Sequence, residues 1–273
     1  MAVWKSAPAL AAGNALVFKP SPLTPLTTIR LAELFTKAGC PDNLFSVVLG
    51  DSGVGQRLIK HNGIAKVSFT VQFLTHSVPK RGPLRTQRLG VGDPFLSSTA
   101  MGALITPEHL ERVLEFISGA VAEGATKLYG GTRPKFPEGS VLTGGNFLLP
   151  CILTNCNDHM RAVREEIFGP VITLLRFDEE DEVIRRANQS ELGLAGGVFT
   201  QNLFTAHRIA AQLQCGSVYV NSFNYYPPGI PFGGYKRSGF GRENSVDTLL
   251  AYSQLKAVYV EGGKLLDPFP FSP

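Results

Sequence analysis

The chain has 273 residues, 44% of them apolar, enough for a sizeable core in one large domain or two ordinary ones. Its 29 glycines and 19 prolines follow no period, which excludes collagen-like and low-complexity chains, and no apolar run approaches the length of a membrane span. The formal charge of +4 is concentrated in Val71–Leu89, which holds Lys80, Arg81, Arg85 and Arg88 and no acid; the remainder is balanced, and no basic element interleaved with aromatics suggests a nucleic-acid face.

The opening Met1-Ala2-Val3-Trp4-Lys5 lacks the basic and apolar blocks of a signal peptide. Cys40, Cys151, Cys156 and Cys215 lie too far apart for a zinc ribbon or a C-x-x-C pair, so no metal site is expected, and scattered thiols suit a reducing cytoplasm.

Val3, Ala7, Leu10 and Ala11 recur at helical spacing over residues 2–12, stopped by Gly13-Asn14. Ala15–Phe18 reads as a strand buried on both faces, and Lys19-Pro20-Ser21-Pro22 follows it. A helix through Ile29, Leu31, Ala32, Leu34 and Phe35 runs to Gly39. Leu44–Leu49 is a second strand, Gly50–Gly55 leads into a short helix near Gln56–His61, and Ala65–Thr70 is a third strand. The order β-α-β-α-β is half of a nucleotide-binding sheet with right-handed crossovers. Gly53-Val54-Gly55 alone is weak evidence for a phosphate loop. Lys19 stands at the strand edge where ligands bind in such folds, and its ammonium can donate to ribose hydroxyls; a solvated lysine fits the same sequence. Val71–Leu89 keeps neither alternation nor helical periodicity, and its prolines, glycine and unpaired cations favour an exposed linker.

Past Val91-Gly92-Asp93-Pro94, Thr106-Pro107 is an N-cap followed by proline at the first helical position. Leu110, Val113, Leu114, Ile117 and Val121 then form an apolar stripe ending near Gly124. Lys127–Gly131 reads as strand and turn, and Asn146–Leu153 as a strand. Glu165-Glu166-Ile167-Phe168-Gly169-Pro170 joins paired carboxylates to an aromatic and a Gly-Pro break before the strand Val171–Leu175. Two readings fit it: a turn presenting Glu166 to a ribose diol and Phe168 to a flat ring, or an acidic helix end followed by a core Phe. Asp178 is placed as the cap of an acidic-headed helix containing Val183, Ile184 and Ala187. Ala195–Thr200 and Val218–Asn221 are strands around a helix from Leu203 to Leu213. Pro231–Glu243 is a glycine-rich constrained loop, and Lys256–Glu261 an apolar terminal strand suited to completing a partner's sheet.

Six stretches in order resemble the aldehyde dehydrogenase superfamily. They are Trp4-Lys5 with Pro8-Ala9-Leu10 and Gly13-Asn14; Phe18-Lys19-Pro20-Ser21-Pro22-Leu23-Thr24-Pro25; Val67-Ser68-Phe69-Thr70; Gly92-Asp93-Pro94; Glu165–Pro170; and Pro231–Lys236 with Ser238-Gly239 and Gly241-Arg242-Glu243. Leu153–Cys156, Ser238–Asn244 and Tyr252–Lys256 look closest to the branch acting on trimethylaminobutyraldehyde and betaine aldehyde. The resemblance implies an α/β chain: a partial Rossmann-like parallel sheet over residues 1–70, an irregular basic junction over 71–89, and a catalytic-type α/β domain over 90–251. A terminal oligomerisation strand over 252–261 and a tail over 262–273 complete it.

By that resemblance, members oxidise an aldehyde to a carboxylic acid with NAD, through a cysteine thiolate that adds to the carbonyl and a glutamate that activates water. Lys19, with Ser21 beside it, matches the residues at the adenosine ribose. Glu166 matches the glutamate on the nicotinamide ribose, with Phe168 packed beside it. Phe232 matches an aromatic of the substrate tunnel. Pro22 replaces a glutamate common in the family, so preference for NAD over NADP is left open; Lys5 matches a family lysine near the site without an assigned role. The departures are as informative. The Gly-Ser pair that should follow Phe69-Thr70 is Val71-Gln72, which weakens pyrophosphate binding; the Glu-Leu-Gly-Gly-Lys strand and the Gly-Gln-x-Cys loop occur nowhere in the sequence. The family's front portion, with its Trp-Asn pair, would lie before Met1.

A family chain lacking that portion and the central catalytic block is therefore expected, with no catalytic residue of its own. Ser68-Phe69-Thr70 is left with an open edge and the product poorly stable or aggregation-prone. Two functions are compatible: a member that has lost its chemistry, or a non-catalytic partner forming homo- or hetero-oligomers through Lys256–Glu261.

Overall fold

A computed structural model describes residues 1–70, 86–260 and 262–263. The front begins with helix α1 (Ala2–Ala11), strand β1 (Leu16–Phe18), helix α2 (Leu26–Lys37), strand β2 (Phe45–Val47) and helix α3 (Ser52–Ile59). β1 and β2 pair in parallel, Leu16 against Phe45 and Phe18 against Val47, the geometry that a helical crossover imposes. Phe35 of α2 packs on Phe45 with ring centroids 4.8 Å apart, and Phe45 stacks on Phe18 at 6.2 Å, so one aromatic row fastens the helix to the sheet.

Three expectations for this region are corrected. The apolar residues chosen for α1 do not form its buried face: Val3, Ala7 and Ala11 are exposed, while Lys5, Ser6 and Ala9 are buried. An ion pair with Glu243 draws the helix inward on its polar side. α3 starts earlier than the glycine run suggested, because the Asp51 side chain accepts from the amides of Gly53 and Val54 and caps it; Gly53 and Gly55 are helical. Residues 65–70 form no strand. Phe69 is 81% exposed and Val67 49%, and with no third strand on β1–β2, Val17 is exposed as well. A central parallel strand is stabilised by a neighbour on each side, and the sequence after Thr70 supplies no helix-period crossover to bring the second one. The partial Rossmann-like sheet is thus two-stranded among the described residues.

The larger core is built by residues further along the chain. Helix α4 (Pro107–Ala122) is capped by Thr106, whose Oγ1 accepts from the His109 amide at 3.1 Å. It buries Leu110, Val113, Phe116, Ile117 and Ala120 against the sheet β3 (Thr126–Tyr129), β4 (Cys151–Thr154) and β5 (Val171–Thr173). Phe116 and Ala120 join the stripe, whereas Val121 is exposed. β3 runs antiparallel to β4, and β4 parallel to β5. The expected strand from Asn146 is shorter at its start, since ladder pairing begins only after Pro150, which has no amide to donate. At Gly130 (φ +62) the backbone turns so tightly that a Cβ would lie 1.7 Å from the Pro150 carbonyl oxygen; only glycine fits.

Next come helix α5 (Arg161–Arg164), helix α6 (Glu180–Asn188), strands β6 (Leu192–Gly193) and β7 (Ala195–Val198), helix α7 (Leu203–Gln212), strand β8 (Ser217–Val220), strand β9 (Tyr235–Lys236) and helix α8 (Val246–Ala251). β7 and β8 pair in parallel around α7, and β6 pairs antiparallel with β9. The cap of α6 is Glu179 rather than Asp178; the Asp178 amide instead donates to Glu182 Oε2. The glycine-rich loop folds back on itself through paired backbone hydrogen bonds between Phe232 and Glu243.

Residues 254–260 form no strand, contrary to expectation, and Glu261 lies outside the described residues. Leu255, Val258, Tyr259 and Val260 are exposed, and among the described residues this segment pairs with no sheet edge. No described helix is long and apolar enough to cross a membrane.

Candidate functional site

Lys19 stands where β1 ends. Its Nζ donates to the Pro20 carbonyl at 3.2 Å, and its stem lies against the first turn of α3, with Cδ 3.6 Å from where a Cβ on Gly55 would be. Ser21 is exposed, and its Oγ accepts from the Leu23 amide at 3.3 Å. An ammonium and a hydroxyl are therefore held at the carboxyl edge of a parallel strand pair, beside a capped helix start. These are suitable donors for a ribose diol.

Glu166 and Phe168 stand on another sheet, in the turn between α5 and β5. Ile167 between them is buried, which anchors the turn in the core and leaves Glu166 half-buried and the Phe168 ring 46% exposed. Phe168 has φ +55, a left-handed conformation uncommon for a bulky residue. Its carbonyl lies 2.6 Å from His109 Nε2. Of the two sequence readings, the core Phe does not hold. The ring is presented outward from a fixed turn.

Phe232 joins an aromatic group built from distant segments. Its ring meets Trp4 of α1 at 5.5 Å and Tyr226 at 4.8 Å, both edge-on; Tyr226 also meets Trp4 and Tyr219, and Tyr219 meets Phe223. Burial pushes the Tyr219 phenol well above its ordinary range, with the Tyr226 hydroxyl adding to the shift. Tyr219, Phe223 and Tyr226 border a cavity of about 390 Å³ that continues past Cys215 to Arg186. Arg186 there is paired with Asp158 and Glu182, each at 2.8 Å, so its charge is already compensated.

Lys5, the neighbour of Trp4 in α1, centres a largely buried ionic cluster. Lys5 Nζ donates to Glu243 Oε1 at 2.7 Å and to Ser68 Oγ at 2.8 Å, bringing α1, the segment after α3 and the glycine-rich loop to one point. Burial pushes the nearby Tyr252 phenol up; Ser68 works against the shift and the Glu243 carboxylate adds to it.

The thiols are placed poorly for nucleophilic work. Cys151 is fully buried in β4, and burial pushes it up to about 11. Burial also raises Cys156 and Cys215, each of which points its sulfur at a backbone carbonyl. None of these three is an activated thiolate at neutral pH.

Sequence reasoning singled out Lys19, Ser21, Glu166, Phe168 and Phe232. The fold sets Lys19 and Ser21 on one sheet, Glu166 and Phe168 on another, and Phe232 in the aromatic group. It missed Tyr219 and Tyr226, and Ser68 as a partner of Lys5. The one sequence signal available was the aromatic density of Tyr219, Phe223, Tyr225 and Tyr226 just ahead of the glycine-rich loop.

The fold and the site define an α/β chain of the aldehyde dehydrogenase type that is incomplete in its sheets. A profile of the aldehyde dehydrogenase family matches residues 1–73 and 80–258, breaking inside the basic junction, and the chain belongs to that family. It is 43% identical to rat 4-trimethylaminobutyraldehyde dehydrogenase over 334 residues, covering 98% of this chain and 67% of the relative, and 44% identical to the same enzyme of Oryzias latipes, of which it covers 66%. The chain thus spans about two thirds of the length of these relatives. The rat alignment is 334 residues long against 273 in this chain, so the relative carries at least 61 residues inside the aligned span that have no counterpart here.

Among solved structures, betaine aldehyde dehydrogenase from Staphylococcus aureus in complex with NAD+ is similar with a TM-score of 0.84 and 33% identity, over 92% of this chain and 63% of that one. An aldehyde dehydrogenase from Bacillus cereus is similar with a TM-score of 0.85 and 32% identity, over 94% of this chain and 64% of that one.

Proposed function

We propose that this chain is a family member that retains contacts for the two ends of NAD and part of an aldehyde site of trimethylaminobutyraldehyde or betaine-aldehyde type, without the groups that perform the oxidation. The carrying observation is chemical. Hydride can leave the substrate carbon only after a nucleophile has added to the carbonyl, and the nucleophile loop and the base-bearing strand are missing from the sequence. The buried Cys151 and the half-buried Cys156 and Cys215, whose thiol pKa values burial raises, support the same reading.

NAD, when bound, accepts the hydride. In this chain Lys19 and Ser21 would hold the adenosine ribose, Glu166 the nicotinamide ribose, and Phe168 the nicotinamide face. Both ends offer groups that fit; Val71 and Gln72, which replace the Gly-Ser pair expected at the pyrophosphate, lie outside the described residues. Weakened binding is the consequence drawn from that replacement. Tyr219, Phe223, Tyr226, Trp4 and Phe232 provide aromatic faces for the trimethylammonium end of the substrate. Free thiols among the described residues suit a cytoplasmic location. The test is NADH production by the purified chain with trimethylaminobutyraldehyde: none is expected, and turnover that survives replacement of all four cysteines by serine would overturn the reading.

A second reading is favoured by the exposed segment 254–260, in which Leu255 and Tyr259 are almost fully solvent-accessible. Such a segment can add as a strand to the sheet edge of a full-length family subunit. Co-expression followed by native mass spectrometry tests this; mixed oligomers are expected, and their absence ends the idea.

A further inference from the structure

We infer that His109 is a positioning residue for the nicotinamide contact, holding the left-handed turn that presents the Phe168 ring. The inference rests on the reading that Glu166 and Phe168 meet the nicotinamide end of NAD.

The turn at 168–170 is gripped from two sides. On one, the Cys151 amide of β4 donates to the Pro170 carbonyl at 2.8 Å. On the other, α4 presents His109 and Val113, one helical turn apart and so on the same face. Val113 rises under Gly169 so closely that a Cβ there would lie 2.6 Å from Val113 Cγ2, which leaves room only for glycine. His109 reaches the carbonyl of Phe168 at 2.6 Å and sets its ring 5.8 Å from the Phe168 ring. A carbonyl oxygen can only accept, so Nε2 carries the proton and donates. The His109 backbone is itself fixed, its amide donating to the Thr106 cap.

A bulky residue with φ near +55 persists only where its surroundings over-determine it. Here the imidazole supplies that determination at the one backbone group of Phe168 that it reaches. Without the donor, the 167–169 backbone is free to return toward an ordinary conformation, and the half-exposed ring loses its fixed direction. His109 does not touch the cofactor; it acts through Phe168.

The test compares His109→Leu, which removes the donor while keeping an apolar side chain, with His109→Gln, whose amide nitrogen reaches the position of Nε2. Calorimetry on the whole chain measures NAD and, separately, AMP, which carries only the adenosine end. The wild-type chain is expected to prefer NAD. In His109→Leu the NAD affinity falls about tenfold with AMP unchanged, and His109→Gln restores it to within about threefold. Hydrogen exchange of the peptide spanning 165–172 quickens in His109→Leu and not in His109→Gln, a measurement that needs no ligand. A wild-type chain that prefers NAD, paired with an unchanged NAD-to-AMP ratio in His109→Leu, overturns the role of His109 alone. A wild-type chain that binds NAD no better than AMP overturns the cofactor reading and the positioning role together.

Discussion

Replacing Lys5 by alanine removes the positive member of a buried ion pair and leaves Glu243 facing an empty space. At 2.7 Å and an effective dielectric of about 20 the gross attraction is roughly 6 kcal/mol, most of which offsets the cost of taking both charges out of water. The asymmetry appears when one partner goes. The Lys5 side chain is 10% exposed and that of Glu243 19%, so the orphaned carboxylate is only partly rehydrated, and a loss of about 3–4 kcal/mol is expected. For a chain of this size that corresponds to a fall in Tm of roughly 6–16 °C, measured by circular dichroism on heating and checked by urea unfolding.

The double variant Lys5→Met/Glu243→Leu fills the same volume without charge and should return to within about 1 kcal/mol of the wild type. Asp178→Ala, which breaks an exposed pair with Arg176, should leave the midpoint unchanged. A Lys5→Ala variant no less stable than Asp178→Ala, or a double variant as damaged as the two single changes combined, would refute the claim that this pair is a buried, mutually dependent unit.

Gly130→Ala places a Cβ 1.7 Å from the Pro150 carbonyl and should cost more than about 3 kcal/mol, or prevent the β3–β4 pairing outright; Gly139→Ala, also at positive φ but with open space around it, should cost about 1 kcal/mol. Circular dichroism in urea separates the two. Asp51→Ala removes the cap of α3, a helix weakened by two internal glycines, and should cost about 1 kcal/mol, with faster hydrogen exchange confined to residues 52–59. Cys151 has a folded pKa raised above its unfolded value of about 9. Its contribution is therefore complete below pH 9 and is lost as the pH rises toward about 11. Wild type should lose about 2–3 kcal/mol more than Cys151→Ala across that interval, by urea titration at each pH, and equal slopes would place the thiol in contact with water. Light scattering after gel filtration should find associated species for the wild-type chain, given its exposed Phe69, Leu255 and Tyr259; a monodisperse monomer would contradict the open-edge argument.

Much of the architecture was readable because strong local signals coincide with packing. Thr106-Pro107 before an apolar stripe fixes α4 with its cap, since the hydroxyl and the missing proline donor act within one turn of chain. β1, β2, β7 and β8 lie where short apolar runs placed them, in parallel pairs. Reading failed where the outcome depends on a partner elsewhere. Ala65–Thr70 and Lys256–Val260 have strand composition and form no strand, because a ladder needs a neighbour and neither segment has one among the described residues. The buried side of α1 was misjudged for a related reason: Lys5 is a surface residue by type and becomes an interior one only because Glu243, 238 positions away, meets it.

The sequence by itself determined the family, the positions of Lys19, Glu166 and Phe168 as cofactor candidates, and the lack of a nucleophile loop and base strand, since each of these is a matter of which residues occur and in what order. Tertiary structure decided which face of each residue is offered. It placed Phe168 outward on a left-handed turn rather than in the core, gathered Trp4, Tyr219, Tyr226 and Phe232 into one aromatic group, and set His109 of α4 against the Phe168 carbonyl. Those outcomes depend on contacts between segments tens to hundreds of residues apart, which local composition does not encode.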